Sequence, residues 1–259
     1  PTALYATYSR RSFNSILILD DLARQGAEFC KHDAAITRRR AESQLALLAK
    51  LHGKFYQKVD PNLRTWEEKF ELSNKWFNLE ACCNNGFLAA EEVVPPRLFK
   101  RHAEIWPATV KSVDLHRTQP RTLTHNDPHL RNWYITRDGE MGLADWQCIC
   151  RSDWGRDVAF TISTSLSVEN RRAWEKELLG FYLDKLRAEG CPAFDFDEVF
   201  ANYRRHLFSA LAYWTVTLTP SSGKSDEPPP EFQPRDATLE FIKRMTTAID
   251  DLDSLGSFG

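Results

Sequence analysis

The stretch from Leu123 to Trp146 constrains the fold more than any other part of the chain. It runs Leu-Thr-His-Asn-Asp-Pro-His-Leu-Arg-Asn-Trp-Tyr-Ile-Thr-Arg-Asp-Gly-Glu-Met-Gly-Leu-Ala-Asp-Trp, with two short apolar runs on either side of Asp138-Gly139. Asp-Gly between such runs is a strong signal for a two-residue type I′ hairpin turn. A turn centred there sets Arg137 against Glu140, and counting outward along both strands sets Asn132 directly opposite Asp145. Opposed residues of an antiparallel pair carry Cβ atoms about 4.5–5.5 Å apart on one face. A carboxylate and a carboxamide oxygen are therefore expected to converge. Mg2+ takes a few protein oxygens together with waters and phosphates, which suits one Asp and one Asn. Asp127, on the loop entering the hairpin, is placed to orient or deprotonate an attacking hydroxyl.

Around this β island the pattern is mostly helical. Residues 3–8 and 15–19 are apolar or β-branched and predict two strands joined by a basic turn. An isolated hairpin is marginal in water, so it is expected to pack on something. From about Asp33 to Tyr56, alanines and leucines fall on helical spacing, with His52-Gly53 as the expected end. Helical pattern continues over 62–118 with Trp66, Phe70, Trp76, Phe77 and Trp106 expected as packing, interrupted at Asn84-Asn85-Gly86 and Pro95-Pro96. Further helices are predicted at 155–165, 168–188, 196–218 and 236–254, the third opened by an Asp195/Glu198 capping pair. Thr219 to Pro234, with three consecutive prolines, is expected to be a loop.

Composition narrows the classes of partner. A formal net charge of -2 gives no broad basic field for nucleic acid, and no apolar run is long enough to cross a bilayer. The six cysteines lack the Cys-x-x-Cys spacing of a zinc site and form no disulfide framework, so they read as reduced thiols in a cytoplasmic protein.

The spacing of Asp127, Asn132 and Asp145 resembles the catalytic loop and metal-binding Asp of kinases, and more closely the aminoglycoside phosphotransferase and choline or ecdysteroid kinase-like family. That family has His-Gly-Asp where this chain has His125-Asn126-Asp127, and aromatic residues after the metal Asp, as in Asp145-Trp146. Asp157, in Gly-Arg-Asp-Val-Ala, matches the family's Asp that buttresses the catalytic loop, and Leu19, Asp20, Asp21 and Leu22 resemble the hinge that meets adenine. The resemblance implies an α+β, protein kinase-like fold, mostly its helical C-terminal lobe. Residues 1–22 would be the end of the N-terminal β lobe and the hinge. Residues 23–259 would be the helical lobe, with the catalytic loop and metal hairpin at 123–146. It implies transfer of the γ-phosphate of ATP to a small-molecule hydroxyl, with Asp127 catalytic, Asn132 and Asp145 holding Mg2+, and His125 and Asp157 supporting the site.

The chain departs from the family at Asn126, where Asn tolerates the left-handed conformation a Gly would take, and at Pro128. None of its eleven glycines forms a Gly-x-Gly-x-x-Gly loop, and no strand before the hinge carries an obvious phosphate-binding Lys. The expectation is that the sequence starts within the N-terminal lobe. Two other classes stand beside the kinase reading. One is a His-x-Asp-x-His metal hydrolase using His125 and His129; the other is a kinase-fold binding module without transfer activity.

Overall fold

The computed structural model describes residues 2–9, 11–12, 14–218 and 234–258. It opens on an antiparallel hairpin of β1 (Ala3–Tyr8) and β2 (Ser15–Leu19), where the apolar segments predict it. Leu4, Tyr5, Ile16, Leu17, Ile18 and Leu19 are all exposed, so the packing partner expected for this hairpin is not found among the described residues. Five short strands follow: β3 (Glu28–Phe29), β4 (Thr122–Thr124), β5 (Trp133–Ile135), β6 (Met141–Leu143) and β7 (Cys150–Ser152). They form two small antiparallel sheets, ordered β3-β5-β6 and β4-β7.

The helices of the described residues are α1 (Arg38–Phe55), α2 (Trp66–Phe77), α3 (Leu79–Leu88), α4 (Pro96–Phe99), α5 (Ile105–Leu115), α6 (Gly155–Ser165), α7 (Val168–Ala188), α8 (Phe196–Val216) and α9 (Arg235–Asp251). Short 3-10 turns link several of them. α6 is buried over its whole length, surrounded by α1, α7, α8 and α9. Its apolar residues, among them Val158, Phe160 and Ile162, join the main core with Leu45, Leu48, Phe208 and Phe241. Each such fully buried side chain contributes about 1.5–3 kcal/mol. The hydroxyls of this central helix are bonded, as a dry interior demands: Thr164 Oγ1 donates to Phe160 O at 2.8 Å, and Ser165 Oγ accepts from Gln44 Nε2 at 3.1 Å.

Three local expectations fail for packing reasons. α1 runs past His52-Gly53 to Phe55, because Gly53 is the flat spot against which Glu189, just beyond α7, lies. Asn84-Asn85-Gly86 sits inside α3, with Gly86 pressed on the Thr215 carbonyl of α8; the break comes at Asn78, in left-handed conformation at φ 48°. Trp66, Phe70 and Trp106 form a second small core as expected, but Trp76 and Phe77 are 74% and 69% exposed. They fall on the last turn of α2, past its packed stripe, where Asn78 reverses the chain.

Asp195 caps α8, its Oδ1 accepting from Glu198 N at 2.9 Å. Asp195→Ala is expected to cost about 1 kcal/mol, read from the urea midpoint at neutral pH. Residues 219–233, which hold the expected proline loop with Asp226 and Glu227, lie outside the described residues.

Candidate active site

The hairpin forms around Asp138-Gly139, but with a different turn. Thr136 O accepts from Gly139 N at 2.9 Å and Thr136 N donates to Glu140 O at 2.8 Å, enclosing a three-residue loop with Gly139 at φ 82°. This is a three-residue loop closed by a left-handed glycine, which the same Asp-Gly pair serves equally well. The register is accordingly Ile135 with Met141 and Trp133 with Leu143, one residue from the expected count. Asn132 faces Ala144, whose N–H donates to Asn132 O at 2.9 Å, and Asp145 falls one step beyond. The directly opposed Asn132/Asp145 pair is thus corrected. Both residues nevertheless act on Asp127. Asn132 Nδ2 donates to Asp127 O at 2.8 Å and stands 3.5 Å from Asp127 Oδ2, while the charge of Asp145 bears on the same carboxyl. Asp145 is itself exposed and left-handed, at φ 61°.

The loop that presents Asp127 is locked from below by the first turn of α6. Asp157 is fully buried and accepts from two successive backbone donors, His125 N on Oδ2 at 2.7 Å and Asn126 N on Oδ1 at 2.8 Å. Its Oδ2 is also 3.3 Å from His52 Nε2, and His52 Nδ1 is 2.8 Å from the Tyr182 hydroxyl. Burial pushes the Asp157 carboxyl up, but His52, first through its hydrogen bond, and then His125 and Arg156 hold it below its ordinary value. Asn126 takes φ 70°, as its type permits. The neighbouring Arg156 donates through Nη1 to the Asn126 carbonyl and, at 2.8 Å, to Asn126 Oδ1, and through Nη2 to Ser209 O at 3.3 Å. Its guanidinium lies 4.1 Å from the Trp66 ring centre. Pro128 O is held by Trp133 Nε1 at 3.0 Å and Thr161 Oγ1 at 3.3 Å.

His125 ties the two arms of the site together. Its Nε2 donates to Ala144 O at 2.8 Å, which leaves Nδ1 to accept from Asp127 N at 3.3 Å. One neutral tautomer satisfies both bonds, and burial lowers the affinity of this imidazole for a proton. His129 lies in the loop and is buried, with Nε2 3.7 Å from Asp127 Oδ2 and its ring 5.1 Å from that of Trp214. Burial, then the Arg131 charge, push its pKa down to about 3. Trp214 is buried against His129 and Phe241 and belongs to the core.

The Asp127 side chain keeps 28% exposure at the mouth of the site. Burial raises its pKa to about 7, with the charges of Asp145 and Asp157 adding to the rise and Arg156 and Asn132 opposing it. A recessed carboxyl whose tip reaches solvent, beside a second carboxylate and a carboxamide, can accept a hydroxyl proton and share a cation. His125, Asp127 and His129 do not make a metal triad: the group of three metal-type donors found among the described residues lies elsewhere and contains none of them. Arg156 is the residue that sequence reasoning did not name, since an arginine near a turn is more often packing or a surface salt bridge than part of a site. Its signal was Asn126, a side chain in the family's glycine position that needs a buried partner.

Along the proposed hinge, Leu19 is exposed at the end of β2, Asp20 N donates to Thr2 O at 3.0 Å, and Leu22 O accepts from Ala27 N at 3.0 Å. Asp21 Oδ1 caps the turn through Ala23 N at 3.0 Å.

Residues 17–198 match the model of the phosphotransferase enzyme family. No curated protein matches the chain. Among solved structures, the chain is similar to a choline/ethanolamine kinase family protein from Mesorhizobium loti at 16% identity, covering 99% of this chain and 77% of that one with a TM-score of 0.51. It is similar to the choline kinase LicA from Streptococcus pneumoniae at 10% identity, covering 95% and 74% with a TM-score of 0.50, and to LicA in complex with AMP at 11%, covering 98% and 73% with the same score. At such identities the likeness shows the fold, which is the mostly helical α+β protein kinase-like fold.

Proposed function

The chain belongs to the phosphotransferase enzyme family, and on that footing we propose that it transfers the γ-phosphate of ATP to a hydroxyl group of a small molecule. The observation that carries this reading is the Asp127 carboxyl, held by a rigid loop beside Asn132 and Asp145. Phosphoryl transfer asks little covalent chemistry of a protein; it asks for positioning and for charge opposite the phosphate oxygens. Asp127 orients the acceptor hydroxyl and takes its proton as the new P–O bond forms and the bond from the γ-phosphorus to the bridging oxygen breaks, releasing ADP. A carboxyl with a pKa near 7 is a stronger base than an ordinary aspartate, which suits that task.

Asn132 and Asp145 suit Mg2+. Both offer oxygen, and exposed Asp145 leaves room for phosphates and waters in the same coordination shell. The Asn132 amide nitrogen is already tied to Asp127 O, which leaves Oδ1 as its coordinating atom. When bound, Mg2+ neutralises the phosphate charge. His125 and Asp157 support the site by fixing the loop backbone. Leu19, Asp20, Asp21 and Leu22 meet the nucleotide base through the backbone groups not already engaged. Residues 1–22 act as the end of a β lobe and hinge against the helical lobe of 23–259. The partner is a small molecule rather than nucleic acid, consistent with the net charge of -2, and no helix of the described residues is long and apolar enough to cross a membrane. We also propose a cytoplasmic location, because Cys30, Cys83, Cys148, Cys150 and Cys191 carry free thiols.

The purified chain, given ATP, Mg2+ and a panel of aminoglycosides, choline-like alcohols and sterols, is expected to consume ATP with at least one acceptor in a Mg2+-dependent way. Hydrolysis indifferent to ATP and to Mg2+ would overturn the reading. Asp145→Asn is expected to raise the Mg2+ concentration for half-maximal rate by about tenfold or more, a loss of at least ~1.4 kcal/mol in ion binding. An unchanged Mg2+ titration would remove Asp145 from the metal site.

A further inference from the structure

A second cluster of donors lies inside the molecule and shares no residue with the site above. His116 closes α5, Asp153 sits in the turn between β7 and α6, and His206 projects from α8. One ligand atom from each falls within 4.8 Å of the other two, and all three residues are buried. His206 Nε2 is 3.1 Å from Asp153 Oδ1. Two ligands about 2.0–2.1 Å from one tetrahedral ion lie about 3.3 Å apart.

Three nitrogens of this cluster, His116 Nε2 and both of His206, have no hydrogen-bond partner. The 3.1 Å approach to Asp153 therefore lacks the alignment of a hydrogen bond. Buried polar atoms nearly always find partners, so three orphans in one cluster point to an additional group. The surroundings are shaped for one. His116 Nδ1 lies 2.8 Å from Ser152 Oγ and 3.3 Å from Asp153 N, contacts that hold the ring and leave Nε2 as its unpartnered atom. Asp153 Oδ1 is steadied by Gly155 N at 2.8 Å. A Cβ on Gly155 would stand 2.6 Å from His206 Cδ2 and 2.8 Å from Asp153 Oδ1, so only glycine lets the ring come up to the carboxylate. A cavity of about 50 Å³, bordered by Asp153, Gly155, Val158, Asn202 and Tyr203, adjoins the cluster. About 10–15 Å³ already holds a water. The cations acting on His116 each have a counter-charge: Arg121 pairs with Glu67, and Arg156 lies beside Asp157.

We propose that His116, Asp153 and His206 bind one Zn2+ ion, with a water from the adjoining cavity as fourth ligand. Two imidazoles and one carboxylate make a donor set for zinc, whereas the all-oxygen pair Asn132 and Asp145 suits Mg2+. The ion would brace the turn leading into α6, whose next residues, Arg156 and Asp157, hold the Asp127 loop.

The full chain, stripped with a chelator and dialysed against Zn2+, should take up one zinc per chain, and its melting temperature should rise on the order of 5 °C at saturating metal. His206→Gln and His116→Gln should each lose the zinc. Should either fail to fold, cobalt replacement in the unmodified chain decides: the visible absorption of a tetrahedral nitrogen and oxygen site supports the proposal, and its absence overturns it. Asp145→Asn, and Cys82→Ser combined with Cys148→Ser, should keep the zinc. No zinc uptake, zinc bound without a rise in melting temperature, or zinc lost in either of those controls would overturn the proposal.

Discussion

Asp127→Asn is expected to lower kcat/KM by about 10²–10⁴-fold while leaving the protein at least as stable as before. The two halves of that result come from one cause. A carboxyl with a folded pKa of about 7 against an ordinary 3.8 holds its proton more tightly folded than unfolded. Between those values the folded state binds more protons, so stability falls as pH rises through the window. Asparagine has nothing to ionise there and keeps the shape of the side chain. At pH 8 the variant should therefore melt at or above the unmodified chain, with an unchanged circular dichroism spectrum. Activity lost while stability is held or gained is the signature of a group whose environment serves chemistry at the expense of folding. Full turnover in Asp127→Asn with saturating Mg2+ would remove Asp127 from the mechanism.

Asp157→Ala should do the opposite, taking stability and activity together. The substitution strands the N–H groups of His125 and Asn126 and removes the carboxylate that His52 approaches, all in a fully buried place. Removing one partner of a buried, hydrogen-bonded charge costs about 3–5 kcal/mol, measurable as a lower urea midpoint at pH 7. The same group gives the protein an acid limit. Its folded pKa lies below the ordinary 3.8, so the unfolded chain binds the proton first. The stabilisation it contributes is complete above the ordinary carboxylate range and disappears as pH falls through the folded value. In Asp157→Ala that part of the acid transition should be gone. An unchanged midpoint and turnover would mean that the loop is held by other contacts.

Helices were the most legible part of the sequence because their signals are local. The predicted spans of α6, α7 and α8 and the Asp195 cap place those elements where the structure has them. The supporting roles of His125 and Asp157 came from the family resemblance, and the structure puts both side chains against backbone groups of the site. What failed was decided by distant neighbours. Asp138-Gly139 supports either of two turns, and the choice between them moves every pair in the hairpin by one; Ser43 Oγ of α1, bonding Met141 N at 3.0 Å, belongs to a part of the chain no turn rule consults. Arg156 was not singled out because nothing local shows that Trp66 covers it. Trp76 and Phe77 read as core because hydrophobicity does not reveal where a helix loses contact with its neighbour.

The anchoring of His125 and Asn126 to Asp157 inverts the usual division of labour in a site built on loops. Amide protons donated to a carboxylate with no access to water exchange with solvent only when the surrounding core opens. In deuterium exchange these two loop amides should rank with the core of α6, while the hairpin of β1 and β2, exposed at residues 3–7 and 15–19, should exchange first. An enzyme arranged in this way would keep its reacting carboxyl still through the cycle and leave opening and closing to the thinly packed strands at the other end of the sequence.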